Sequence, residues 1–431
     1  MTRFFSVCAA LAAFTLSPGA GARPVAGDGV HDDTAGLQAL LDTRASEVRF
    51  PIPKVAFVIS RTLKIHSGQS LLLGPTTMIR LQAQTGAVMI TNDDHDKGNE
   101  NIAIVGGIWN MDNVNQALTA YQQDRKNRGT YTPELYTGVL MRFNRVKNLT
   151  LRGLTLKDPV TFGMQLGNVR QFTVEDITFD YNLARSNMDG VHVNGPAVHG
   201  RIANVKGTTN DDMVALNADD VGWAEMSAGP IEEVDVDGIF ATNGYTAVRL
   251  LSAGSVVRRA RLAHIYGSYR FNLVSFTNHR AHPGTPTTFE DITIRDVFCS
   301  KSIGTMKQDP AKPGPASRAL VWIDAPAVVS NLTISGFHRT ESEWAAENIL
   351  IEPGATVERL RMSDVTVINR TAGPIHVLTN RGTIGSLQMS GVYATADEKA
   401  AGGAVVLNSG TIGQPALSEV STVHVEPRIV K

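Results

Sequence analysis

The sequence is expected to fold as an all-β, right-handed parallel β-helix with an N-terminal capping helix. Three observations lead there. A strand-like phrase of alternating apolar and polar residues recurs along most of the chain. Helical periodicity is nearly confined to one segment near the start. Glycine is abundant, at 39 residues, while aromatics make up only 6%. Alternation with period two means strands, and repetition every two dozen residues or so means one solenoid coil per repeat. A large β-sandwich or a propeller is the competing architecture, but equal, hairpin-linked blades are not evident.

The first 22 residues read as an export signal. Arg3 supplies positive charge, Phe4 to Leu16 is an apolar stretch, and Ala20-Gly21-Ala22 offers a small-x-small cleavage site. The run is short for a membrane span, so no membrane anchor is expected. A periplasmic or secreted location follows. The cysteines are Cys8 and Cys299, and Cys8 would leave with the signal, so no internal disulfide and no cysteine-based zinc site is expected.

Residues 23–431 are then read as a single β-helix domain. Residues 27–45 hold the capping helix, with Asp33 or Thr34 as its cap and Leu37, Leu40 and Leu41 along one face. The repeating phrase follows, as in VKNLTLRGLTLKD at 146, VRQFTVEDITFDY at 169 and PIEEVDVDGIFATN at 230. Each phrase alternates, passes a Gly, Asp, Asn or Ser, and alternates again. Residues 110–137 interrupt the pattern with a polar segment rich in Arg, Lys and Tyr, expected to be an insertion laid over one side. Residues 278–288 and 301–317 read similarly.

Charge excludes one class of partner. Lys plus Arg is 40 and Asp plus Glu is 41, for a net charge of -1, so no nucleic-acid partner is expected from bulk charge. No phosphate loop, nucleophile elbow or HExxH motif is present. A monomer is expected, because stacked coils bury their own faces. No cofactor and no resident metal is expected.

The densest polar cluster lies in adjacent coils. Aligning Asn187-Met188-Asp189-Gly190 with Asn210-Asp211-Asp212-Met213 gives an offset of 23 residues, one coil. Asp189 and Asp212 should then stack about 4.8 Å apart, with Asp211 beside them. Like charges that close raise at least one pKa, which suits glycoside hydrolysis: one protonated carboxyl for the leaving oxygen and ionised ones for water. Side-chain ladders, turn caps and a Ca²⁺ site are the other uses of such a cluster. His192 and Arg249 share one outward register, and Asn194 and Asn217 share the next. With Tyr245, these are the candidate substrate-binding residues. His192 is read equally as a groove residue or as a surface histidine bonded to a turn, and Tyr245 as a sugar platform or as packing between coils.

The opening GDGVHDDTAGLQALLD resembles the N-terminal signature of the pectate-lyase-like β-helix superfamily. NMDG followed one coil later by NDD resembles the NTD and GDD motifs of glycoside hydrolase family 28, the polygalacturonases and relatives. The resemblance implies hydrolysis of a poly- or oligosaccharide with inversion. It makes Asp211 the general acid and Asp189 with Asp212 the pair that activates water. The sequence also departs from the family. The GHG histidine is replaced by Thr246. Arg249 matches the RIK arginine one coil early, and Leu251 stands at the lysine position, which weakens the case for galacturonan. Two other functions stay open. One is a polysaccharide lyase with Arg249 or His192 as base and Ca²⁺ on the aspartates; the other is a non-catalytic glycan-binding β-helix.

Overall fold

The computed structural model describes residues 25–119, 131–220, 225–278, 284–302, 319–400 and 402–431. The expected export signal, Cys8 and the middle of the 110–137 insertion lie outside these residues. So do 279–283, within the second expected insertion, and 303–318, which covers most of the third.

The chain is a right-handed parallel β-helix. Every strand pairing is parallel, and each strand pairs with its equivalent in the coil before and the coil after. One coil begins with Met141–Asn144, turns into Val146–Arg152 and finishes with Thr155–Lys157. In the next coil Met164–Asp180 runs through all three faces as one bent strand. The three faces are called first, second and third in that order.

Inward side chains stack coil on coil. On the second face the ladder runs Ile104, Leu151, Val174, Ile202, Val236, Leu262, Ile294, Ile334, Met362 and Met389. All ten are buried in one continuous core. Spacing along this ladder ranges widely, because insertions enter between faces without disturbing the register. Cys299 is buried beside this core, and burial pushes its thiol up to about 12.

The residue in the middle of each phrase has a defined job. Gly106, Gly153, Asp176, Asn204, Gly238, His264, Asp296, Gly336, Asp364 and Gly391 all have positive φ. They occupy equivalent positions in successive coils, and from Asp176 to Gly391 each lies one residue before a paired apolar position. A left-handed residue turns the strand from the second face to the third. Gly, Asn and Asp adopt that conformation at least cost. The sequence phrase is therefore a strand, a left-handed corner and a second strand.

The capping helix spans Thr34–Asp42 and buries Leu37 and Leu41 against the first coil. Its cap differs from the expectation. The Asp33 side chain makes no cap bond to the helix; its carboxylate turns back to accept the backbone N–H groups of Ala26 and Gly27. Asp32 accepts the Thr34 N–H at 3.0 Å instead. Outward aromatics also stack: Phe240, Tyr266 and Phe298 lie 5.1 and 5.6 Å apart and nearly parallel on the third face. Their faces are used by one another, so the ladder stiffens successive coils.

Candidate active site

The first face positions the polar cluster. Its inward ladder is Met164, Val191, Val214, Val248 and Val274, fully buried. The alternate residues face outward. Gln165, His192, Ala215, Arg249 and Ser275 form one ladder by strict register. Asn194 pairs with Asn217 two residues on. The 23-residue offset is confirmed: Val191 pairs with Val214, and the Gly190 N–H donates to the Asp212 carbonyl at 2.8 Å.

Asp189, Asp211 and Asp212 converge at the leading edge of these strands. Each offers an oxygen within 4.8 Å of the others. Asp189 and Asp212 are each 2% exposed and Asp211 is 9% exposed. Gly190 permits the packing, since a Cβ there would overlap the Met213 carbonyl and the Phe179 ring.

Each carboxylate has its own partners. Asp189 meets His192 Nδ1 at 2.7 Å. Asp212 pairs with Arg249 Nε at 2.9 Å and is hydrogen-bonded by the Thr246 side chain. Asp211 accepts from Asn187 Nδ2 at 3.2 Å, and its carbonyl accepts the Thr209 hydroxyl at 2.6 Å. Arg270 pins the same turn by donating to the Thr209 carbonyl.

Burial and mutual repulsion set the electrostatics. Burial first, and then the charge of Asp212, raise Asp189 well above the usual carboxylate range. Burial raises Asp212 to about 7; Arg249 opposes the rise and Asp211 adds to it. Burial, with Arg249 behind it, lowers His192 to about 3, so its ring is neutral. Burial alone would lower Arg249, but Asp212 and Asp220 hold it firmly charged. Asp189 and Asp212 therefore hold their protons more tightly than isolated carboxyls do.

The structure brings every candidate residue onto one face, but not in equal roles. His192 is buried and stacks on Phe162, with centroids 4.0 Å apart and planes 9° apart. Asn194 and Asn217 are buried and directed at His192. Tyr245 is buried, stacks on Phe271 at 4.8 Å, and has Arg270 5.7 Å from its ring centre. It therefore packs between coils. Arg249, on the outward ladder, directs its Nε to Asp212. Thr246, which stands where the family resemblance would place a histidine, is in register with Asp212.

Phe162, Gln165 and Arg270 join the site as well, and no motif in the sequence marks them. Gln165 carried a usable signal, since it precedes His192 by one coil. Phe162 carried none, because it sits in a turn whose path only packing fixes. The described ends of the 110–137 insertion reach this edge: Asn113 Nδ2 donates to the Pro159 carbonyl, and Arg185 donates to the Asn113 carbonyl. Farther along the first face, Arg142 holds the returning segment through the carbonyls of Pro133 and Leu135 and lies 5.2 Å from the Tyr131 ring centre. No helix among the described residues is long and apolar enough to cross a membrane.

Residues 47–259 match the model for glycosyl hydrolases family 28. An exopolygalacturonase from Arabidopsis thaliana is 21% identical over 243 residues, which is 54% of this chain and 50% of that protein. The chain thus spans about half the length of the curated relative it matches. Among solved structures, a hyperthermoactive exopolygalacturonase from Thermotoga maritima superposes with a TM-score of 0.58 at 13% identity, covering 85% of this chain and 90% of that one. Gene product 12 of bacteriophage phi29 superposes with a TM-score of 0.60 at 14% identity, covering 94% of this chain and 56% of that one. At these identities the structural likeness bears on the fold.

Proposed function

We propose that this chain, a divergent member of the right-handed parallel β-helix superfamily that resembles glycosyl hydrolases family 28, is an exported hydrolase of glycosidic bonds in a poly- or oligosaccharide. The observation that carries the reading is the convergence of three aspartate oxygens within 4.8 Å on adjacent coils. Asp211 is the most exposed of the three and accepts from Asn187 at the turn, so it is assigned as the acid that protonates the leaving oxygen. Asp189, held by His192, and Asp212, held by Arg249, act on the opposite side of the bond.

Two courses are open to such a site. The family resemblance implies inversion, in which carboxyls usually lie about 6.5–9.5 Å apart with water between them. The other is retention, in which a carboxylate about 5–5.5 Å from the acid attacks the sugar directly, and the anomer first released distinguishes the two. A lyase is less well supported. Arg249 is bound to Asp212, and the Nε2 atom of His192 is met by Asn217, so neither presents a free base.

The test is digestion of a glycan panel by wild type and Asp211→Asn, following reducing ends, ultraviolet absorbance and the anomer first released by ¹H NMR. New reducing ends without absorbance, lost in the variant, are expected. Absorbance appearing with cleavage would move the assignment to a lyase. Glycan binding without cleavage would move it to a binding protein.

A further inference from the structure

The amide partners of His192 determine which of its ring nitrogens carries hydrogen. The backbone N–H of Met226 can only donate, and it points at Asn194 Oδ1 from 3.4 Å. Gln165 Nε2 donates to the same oxygen at 3.0 Å. The terminal oxygen of Asn194 is thereby fixed, so its Nδ2 faces His192 Nε2, at 3.5 Å. Asn217 Nδ2 lies 3.2 Å from that same nitrogen. A nitrogen approached by two N–H donors must offer its lone pair. The hydrogen of the neutral ring is then on Nδ1, and Nδ1 donates to Asp189 Oδ2 at 2.7 Å.

From this geometry we infer that His192 is a positioning residue that acts through Asp189 and never touches the sugar. Its bond reserves Oδ2 of Asp189 as an acceptor. Oδ1 is left as the oxygen that works, whether it takes a proton from water or attacks carbon. The ring itself cannot turn, because it lies flat on Phe162 and both nitrogens are engaged. Gln165, Asn194 and Asn217 thus serve the reaction at second hand, by fixing a tautomer. The charged and titratable groups acting on the ring are Asp189, Arg249, Asp212 and Asp220. The reactive role of Oδ1 rests on the hydrolase reading; the tautomer and the bond do not.

Two variants and two measurements separate these claims. His192→Phe keeps a flat ring against Phe162 and removes the donor. His192→Asn returns an amide N–H near the Nδ1 position. On a glycan that the wild type cuts, His192→Phe is expected to lower kcat at least about tenfold, leave KM within about twofold and displace a limb of the pH profile, and His192→Asn to recover part of the loss. A raised KM with kcat intact, or an Asn variant no better than Phe, would overturn the proposal. In ¹⁵N NMR, needing no substrate, the His192 ring should remain the neutral Nδ1–H tautomer from pH 5 to 8. The ¹³C titration of the Asp189 carboxyl should move upward in His192→Phe. The Nε2–H tautomer, a cationic ring in that range, or an unmoved Asp189 titration would overturn it. Should the wild type cut no glycan, the hydrolase reading fails, and the NMR results still decide the role of His192.

Discussion

Replacing Asp189 with Asn should make the protein more stable, and only above a certain pH. The side chains have the same shape, and the amide oxygen can still accept from His192 Nδ1. What disappears is one charge from a buried cluster whose oxygens lie within 4.8 Å of one another. At an effective dielectric of about 20, two unit charges at that separation repel by about 3 kcal/mol. The sign with pH follows from the direction of the shifts. Asp189 and Asp212 have folded pKa values above the ordinary 3.8. Stability from such groups is present below pH 3.8 and is lost as pH rises through the folded values, about 7 for Asp212. Urea denaturation at pH 8.5 should therefore show Asp189→Asn more stable than wild type by about 2–3 kcal/mol. At pH 4.5, below the folded value of about 7 for Asp212, the gain should shrink to about 1 kcal/mol or less. Equal effects at the two pH values, or a loss at pH 8.5, would refute the argument that repulsion dominates this site.

Two further outcomes test the site and the fold. Arg249→Met removes the cation from Asp212, so stability at pH 8 should fall by about 3–5 kcal/mol, with a smaller loss at pH 5 because Asp212 then takes a proton; the same denaturation series checks it. Gly153→Ala should cost about 1 kcal/mol, since the added Cβ meets nothing closer than 3.9 Å and only the left-handed corner is strained, whereas Gly106→Ala should cost more because its Cβ would overlap the Leu73 carbonyl oxygen; thermal melts of the two variants compare them.

The assignment of Asp211 as acid follows from differences in company rather than from the motif alone. Asp189 and Asp212 each have a nitrogen donor aimed at them from the first face. Asp211 sits at the turn, nearer solvent, with Asn187 as its side-chain partner. The same comparison changes the meaning of Arg249. Read from sequence it was a candidate for the substrate; in the folded chain it neutralises part of the aspartate cluster. His192 and Tyr245, each read from sequence in two ways, are buried against Phe162 and Phe271.

The coil is legible in the chain's alternation and corner residues. Period-two alternation decides which side chains face inward, and a left-handed residue between the second and third faces, Gly, Asn or Asp except at His264, decides where the strand turns. Register then follows, because slipping by one residue would expose a whole ladder. That was enough to stack Asp189 on Asp212 and to put His192 in line with Arg249. Only the tertiary structure decided what those residues touch. Phe162 reaches His192 from a different turn, Met226 fixes the Asn194 amide from 32 positions away in the chain, and Phe271 occupies a face of Tyr245. Alternation assigns a side chain to a face. Its direction on that face comes from packing and from the need of each buried polar atom for a partner, and those partners arrive from other coils.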